Sequence, residues 1–293
     1  MSTTNMDLQS LDPDEQELIQ FFRTARKRAA EATSTPAHAF IGHEASTRLF
    51  DMDVLDIPVQ HRDWFARLVV EAQKVMSLND NSHNWEHIQR VVAIAHRIFT
   101  ADRPAGVEPA TLYAAAIVHD VGDGKYLKNG ETSEQKTRDL FNTAKTPRQY
   151  ADDIWVIANG VSYTAESRDP ARVLQLVERH PELAIVQDAD RIDSLGVIGI
   201  SRGFAYGGAS EDRKMFSFNI GANLITERFW NYIPRMKTKT GKKEALERWA
   251  EMEYFLKRFK EEAEVSHVLL PPGTALDQDN STYNPEASHQ GAD

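Results

Sequence analysis

From His61 to about Glu264 apolar side chains return every three or four residues, and nowhere do they alternate in twos over a convincing stretch. That period dictates helices, because residues three and four apart share a helix face whereas a half-buried strand needs a period of two. It predicts helices over about 61–78, 84–101, 108–119, 131–143, 147–159, 171–179, 193–206, 221–233 and 241–264. In the last of these Leu246, Trp249, Leu256, Phe259 and Ala263 recur at helical spacing, with Lys and Glu covering the other face. The run Leu183-Ala184-Ile185-Val186 is too short for periodicity to separate strand from helix, and is read as helix. The expected class is all-α: one helical bundle over 61–265, without internal repeats or a linker.

The flanks differ in composition. Residues 1–11 read as a disordered tail, after which Asp12-Pro13 supplies an N-cap and a first-turn proline for a helix to about Ala32. That helix sets Leu18, Phe21, Phe22 and Ala25 on one side, to pack on the domain or on a second subunit, which leaves a homodimer open. Residues 33–60 carry Ser, Thr, Pro and Gly without sustained period and read as a connecting arm, so 12–60 is expected to be a helical extension. Residues 266–293, rich in Pro, Gly, Ser, Asn and Asp, read as a second disordered tail.

Composition narrows the chemistry. With 41% hydrophobic and 27% charged residues in 293, there is enough apolar material for a proper core. A net charge of −10 and no basic stripe argue against a nucleic-acid binder, while a small anionic ligand held by a metal and a few cations is compatible with it. No cysteine is present, which excludes disulfides, thiolate zinc sites, iron–sulfur clusters and Cys nucleophiles, so any metal must sit on His, Asp or Glu. The polar, acidic N-terminus resembles neither a secretion signal nor a transit peptide, and no window approaches a membrane span, so a cytoplasmic location is expected, with the nucleus left open.

Four segments carry the informative residues: Ser82-His83-Asn84-Trp85-Glu86-His87-Ile88-Gln89-Arg90-Val91, His119-Asp120-Val121-Gly122-Asp123, Asn159-Gly160-Val161-Ser162-Tyr163 and Gln187-Asp188-Ala189-Asp190-Arg191. His119-Asp120 follows Leu112–Val118, an apolar small-residue run that can hardly be other than a core helix, so both side chains reach the interior together. Buried there they need compensation, from each other as a hydrogen-bonded pair or from a cation that takes an imidazole nitrogen and a carboxylate oxygen. Asp190 stands among Asp188 and Asp193 between apolar residues, so at least one of the three faces inward; a helix cap with surface ion pairs is the alternative. His83 and His87, four apart, share a helix face. His83-Asn84-Trp85-Glu86-His87 also fits the inverted zinc-peptidase pattern H-x-x-E-H, a reading that leaves His119-Asp120 and the Asp190 cluster unexplained.

In order, His87, His119-Asp120 and Asp190 resemble the H…HD…D pattern of the HD-domain superfamily of metal-dependent phosphohydrolases. The resemblance is closer to the branch that opens on Ser-His-x-x-x-His-x-x-Arg-Val, continues through HD-x-x-D and ends on Asp-Ala-Asp-Arg-x-Asp, here Ser82–Val91, His119–Asp123 and Asp188–Asp193. Ile198–Gly208 is similar to the segment that follows in that branch, and coverage runs from about 61 to 264. Asn159–Tyr163 departs from it, because a His or Ser often precedes the serine there, and residues 1–60 fall outside it. The resemblance implies His87, His119, Asp120 and Asp190 as ligands of one divalent cation. Manganese is preferred on the resemblance, while the donor set equally suits Mg²⁺, Fe²⁺ or Zn²⁺. It implies Asp123 as the carboxylate that positions or deprotonates the attacking water. His83, a turn before a ligand, can reach the phosphate or donate a proton to the leaving oxygen; a structural histidine is the alternative. Arg90, Lys125 and Arg191 are the cations nearest the ligands in sequence and can neutralise a polyphosphate, although the two arginines can equally hold Asp190 or Asp120. A two-iron variant needs extra histidines between the HD pair and the last Asp, where only His180 occurs, beside Pro181 in a charged loop.

The expected activity is hydrolysis of nucleotides, at a terminal phosphate monoester or, as the resemblance favours, at a pyrophosphate bond of a nucleoside triphosphate. The competing class is a non-catalytic HD module that binds a nucleotide or a partner protein. An intact Asp123 beside intact ligands leans against it.

Overall fold

The computed structural model describes residues 48–80, 82–127, 130–208 and 218–270. The expected tail 1–11, the helix from Asp12 and residues 33–47 of the arm lie outside these residues, as does the expected tail beyond Leu270. Among the described residues there are eleven α-helices and no strand. In chain order they are α1 (Arg62–Met76), α2 (Trp85–Asp102), α3 (Pro109–Val118), α4 (Ser133–Ala144), α5 (Arg148–Gly160), α6 (Tyr163–Arg168), α7 (Pro170–Arg179), α8 (Glu182–Asp193), α9 (Gly196–Gly208), α10 (Phe218–Arg228) and α11 (Lys239–Glu262). Short 3₁₀ turns occupy Val59–His61, Gly124–Tyr126, Phe229–Arg235 and Ser266–Val268. None of the described helices is long and apolar enough to cross a membrane.

The centre is α3. Every residue from Ala110 to Val118 is buried, as an all-round apolar helix must be. It packs against α1, α2, α5 and α8, and α8 lies along α2. Local sequence starts these helices cleanly. The Asn84 side chain accepts from the backbone N–H groups of Glu86 and His87 to open α2, and Glu108 with Pro109 behind it opens α3. His119 is the C-cap of α3, so the His-Asp pair emerges where the core helix stops.

Three differences from the periodicity have local causes. The helix expected from 193 begins instead at Gly196, whose φ of +71° turns the chain after α8 has already run through Leu183–Val186 to Asp193. The helix expected over 221–233 gives way at Phe229 to a 3₁₀ turn containing Pro234, a residue that cannot donate to an α-helical ladder. A short helix, α6, forms where none was expected, because the Ser162 hydroxyl accepts from the Thr164 and Ala165 N–H groups.

A buried carboxylate ties the C-terminal helix to this centre. Asp188, on α8, accepts from the Lys237 and Thr238 N–H groups at 3.0 and 2.7 Å and from the Thr238 hydroxyl at 2.7 Å. Thr238 in turn caps α11. Gly241 is required beside them, since a Cβ there would stand 2.6 Å from Asp188 Oδ2. Asp188→Ala strands three partly buried donors and is expected to lower unfolding free energy by about 2 to 3 kcal/mol, measured by urea denaturation. A loss near the level of an exposed substitution contradicts this role for Asp188.

Candidate metal centre and cavity

Three helices bring the candidate ligands together. His87 comes from the first turn of α2, His119-Asp120 from the end of α3, and Asp190 from the interior of α8. His87 Nε2 lies 3.3 Å from His119 Nε2, 3.3 Å from Asp120 Oδ2 and 3.5 Å from Asp190 Oδ1. His119 Nε2 lies 3.5 Å from Asp120 Oδ1 and 3.7 Å from Asp190 Oδ1. One ligand atom each from His87, His119 and Asp190 falls within 4.8 Å of the others, a spacing that fits one ion.

The hydrogen bonds of the two imidazoles decide what this cluster can hold. His87 Nδ1 donates to Asp193 Oδ2 at 2.8 Å and His119 Nδ1 to the Ala116 carbonyl at 2.8 Å. Both partners only accept, so each Nδ1 carries a hydrogen and each ring, once Nε2 is deprotonated, turns that nitrogen's lone pair inward. Two such lone pairs and two carboxylates then face one point, and only positive charge relieves their repulsion. Burial disfavours charge on His119, yet the Asp120 and Asp190 carboxylates outweigh it and push this imidazole up to about 9. Burial likewise works against the charge on Asp120, and His119 overcomes it to hold that carboxyl well below its usual range. The donor set therefore fits a divalent cation, which takes the place of that proton.

Asp193 orders the cluster from behind. It is buried and also receives Arg90 Nε at 2.7 Å, Arg90 NH2 at 3.1 Å and Arg202 NH1 at 3.0 Å. Burial opposes its ionisation, but the His87 hydrogen bond and the two arginines hold it far below the carboxylate range. Arg90, expected near a phosphate, is thus a partner of Asp193. Arg191, expected likewise, does not reach the cavity. One residue beyond Asp190 on a helix it turns about 100° away, where it is buried against Glu166 Oε2 at 2.5 Å and the Arg235 carbonyl at 3.2 Å.

A cavity of about 530 Å³ opens over the cluster, lined by His119, Asp120 and Asp190, while His87 lies fully buried behind them. Asp123 and Lys125 also line it. Asp123 Oδ1 accepts from the Lys125 N–H at 3.0 Å and Oδ2 lies 3.2 Å from Lys125 Nζ, so its charge is already matched. His83 faces the same space with Nδ1 2.7 Å from Ser82 Oγ. Ser82 Oγ donates to the Asp80 carboxylate, whose other oxygen takes the Tyr126 hydroxyl at 2.6 Å. Since Asp80 can only accept, Ser82 must accept from His83 Nδ1–H, leaving His83 Nε2 as an acceptor. Burial, foremost, drops the His83 imidazole to about 4, so the ring is neutral. In this tautomer Nε2 starts as an acceptor, so it can give a proton to a leaving oxygen only after taking one.

Several cavity residues escaped the sequence reading. Asp193 and Ser82 stand inside the motifs and were readable as members of them. Arg202 lies in the segment after the last Asp. Tyr163 ends one of the four informative segments, but nothing in the pattern marked Arg228 or Tyr232, which come from α10 and the turn after it.

A helical bundle that closes two imidazoles and two carboxylates around one point defines an all-α protein with a candidate mononuclear metal centre. Residues 84–195 match the family model of the HD domain. The chain is similar to the uncharacterized protein YpgQ of Bacillus subtilis (strain 168), 27% identical over 137 residues, which are 47% of this chain and 63% of that one. The match therefore spans somewhat under two thirds of the length of that curated relative. Its fold is similar to that of a Lactobacillus plantarum protein, with a TM-score of 0.57 and 24% identity over 70% of this chain and 98% of the other. It is also similar to YpgQ solved in complex with ADP, with a TM-score of 0.53 and 24% identity over 67% and 97%.

Asp193→Asn keeps the shape but weakens the acceptor that fixes the His87 tautomer. It is expected to loosen divalent-metal binding by roughly tenfold to a hundredfold, read by competition with a chelating dye. Affinity equal to wild type shows that Asp193 does not govern the ligand.

Proposed function

We propose that this chain is a metal-dependent phosphohydrolase acting on nucleotides. The cleaved bond is either a phosphoanhydride of a nucleoside triphosphate, releasing pyrophosphate, or a terminal phosphate monoester. The observation that carries the reading is the convergence of His119, Asp120 and Asp190 on the wall of one cavity, with His87 directly behind them and His83 Nε2 an acceptor in the same space. The match of residues 84–195 to the HD-domain model supports it, and so does the ADP complex of YpgQ. Five aromatic side chains, Trp155, Tyr163, Tyr206, Phe229 and Tyr232, line the cavity and offer faces on which a base can stack.

A divalent cation, with Mn²⁺ preferred, supplies Lewis acidity toward water and a phosphoryl oxygen. The protein does the rest. His83 takes a proton from the attacking water at Nε2, held in the needed tautomer by Ser82 and Asp80. Asp123 orients that water with a lone pair left free by Lys125, and Lys125 offsets charge on the phosphoryl oxygens. The water oxygen bonds to phosphorus as the bridging bond breaks, the leaving pyrophosphate or alkoxide takes the electron pair, and the proton held on His83 passes to that leaving oxygen or to solvent.

Phosphate and pyrophosphate release from ribo- and deoxynucleoside mono- and triphosphates, with Mn²⁺, Mg²⁺, Zn²⁺ or chelator, tests the reading. Metal-dependent release is expected from wild type, none from Asp120→Ala, and a kcat lowered by about 10²- to 10⁴-fold in His83→Ala. Wild-type protein that binds metal and releases nothing from any nucleotide contradicts the proposal.

A further inference from the structure

The positive charges of the cavity differ in what already engages them. Three cationic side chains line it among the described residues: Lys125, Arg202 and Arg228. Lys125 is paired with Asp123 and sits 5.0 Å over the Tyr206 ring. Arg202 divides its guanidinium between Asp193 Oδ2, at 3.0 Å, and the Ser82 carbonyl, at 2.7 Å. Arg228 forms no ion pair among the described residues. It is the last residue of α10, exposed, with its guanidinium 5.9 Å over the ring of Tyr163. Its side chain also hydrogen-bonds the buried phenol of Tyr232, which lines the same cavity.

The charge balance of the site gives this arginine a task. A divalent cation offsets Asp120 and Asp190, Lys125 is shared between Asp123 and the phosphoryl group at the ligand cluster, and Arg90 and Arg202 are both held against Asp193. A second phosphate on a substrate then brings further negative charge, and Arg228 is the lining cation that has no ion-pair partner among the described residues. A guanidinium steadied over an aromatic face presents a planar fork that matches two phosphate oxygens at once.

We propose that Arg228 determines specificity for phosphate number: it grips a phosphate other than the one at the ligand cluster, so the cavity favours di- and triphosphates over monophosphates. This rests on the nucleotide reading above for its substrate class, and on the cavity geometry alone for its anion.

The test is equilibrium binding of inorganic pyrophosphate and of inorganic phosphate to the full-length protein in magnesium chloride. Wild type is compared with Arg228→Ala, Arg228→Lys and the surface control Lys243→Ala, and thermal unfolding reports on folding of each. Wild type should bind pyrophosphate more tightly than phosphate. Arg228→Ala should weaken pyrophosphate on the order of tenfold to a hundredfold and phosphate by less than about threefold. Arg228→Lys, which keeps charge without the fork, should fall between. On any nucleotide that wild type hydrolyses, the loss should appear in KM, with kcat within about twofold. The proposal is overturned if wild type does not bind pyrophosphate, if Arg228→Ala matches it, if both anions weaken by one factor, or if the loss falls in kcat. If no nucleotide is hydrolysed while the pyrophosphate result holds, the functional reading fails and the Arg228 subsite stands.

Discussion

Two imidazole nitrogens that face each other at 3.3 Å, with carboxylate oxygens at 3.3 to 3.7 Å, form an arrangement that water-excluding walls alone would disperse. Every group at that point offers a lone pair. The packing of α2, α3 and α8 holds them there because each helix has stronger obligations elsewhere: α3 is buried on all sides, and α2 and α8 lie along each other. The core thus supplies the rigidity, and the crowding of acceptors is what selects a cation. A site built on packed helices rather than on loops keeps its donor atoms in place before any ligand arrives.

Asp193 connects that centre to the surrounding helices. It fixes the His87 tautomer from behind while Arg90 and Arg202 match its charge, and Arg202 continues to the carbonyl of Ser82, beside His83. One carboxylate therefore links the metal ligand on α2, the helix that follows α8, and the segment that carries the acceptor histidine. On the other side, Asp80 and Tyr126 hold Ser82, so His83 is oriented through hydrogen bonds that avoid the ligands altogether.

Much of this was legible in residues. A 3.6-residue period suffices for a helical bundle, and an apolar run ending in His119-Asp120 can put those side chains only at the interior end of a core helix. What was not legible depends on direction and distance. Adjacent residues on a helix diverge by about 100°, which is why Asp190 faces the cavity and Arg191 a buried pair with Glu166, although sequence proximity suggested a common task. The role of His83 turned on a tautomer set by Asp80 and Ser82, and a motif records residue types without their hydrogens. Arg228 and Tyr232 reach the cavity from elements far along the chain, through contacts that no local pattern encodes.

The central claim is that four converging acceptors require one divalent cation. Titration calorimetry of Mn²⁺ into metal-free protein, repeated in two buffers of different ionisation heat, tests it directly. In metal-free protein His119 holds its proton below about 9, so at pH 7 binding should occur once per chain, release a proton, and weaken as pH falls. Asp120→Ala should abolish it. Binding without proton release, or binding unchanged in Asp120→Ala, would contradict the account.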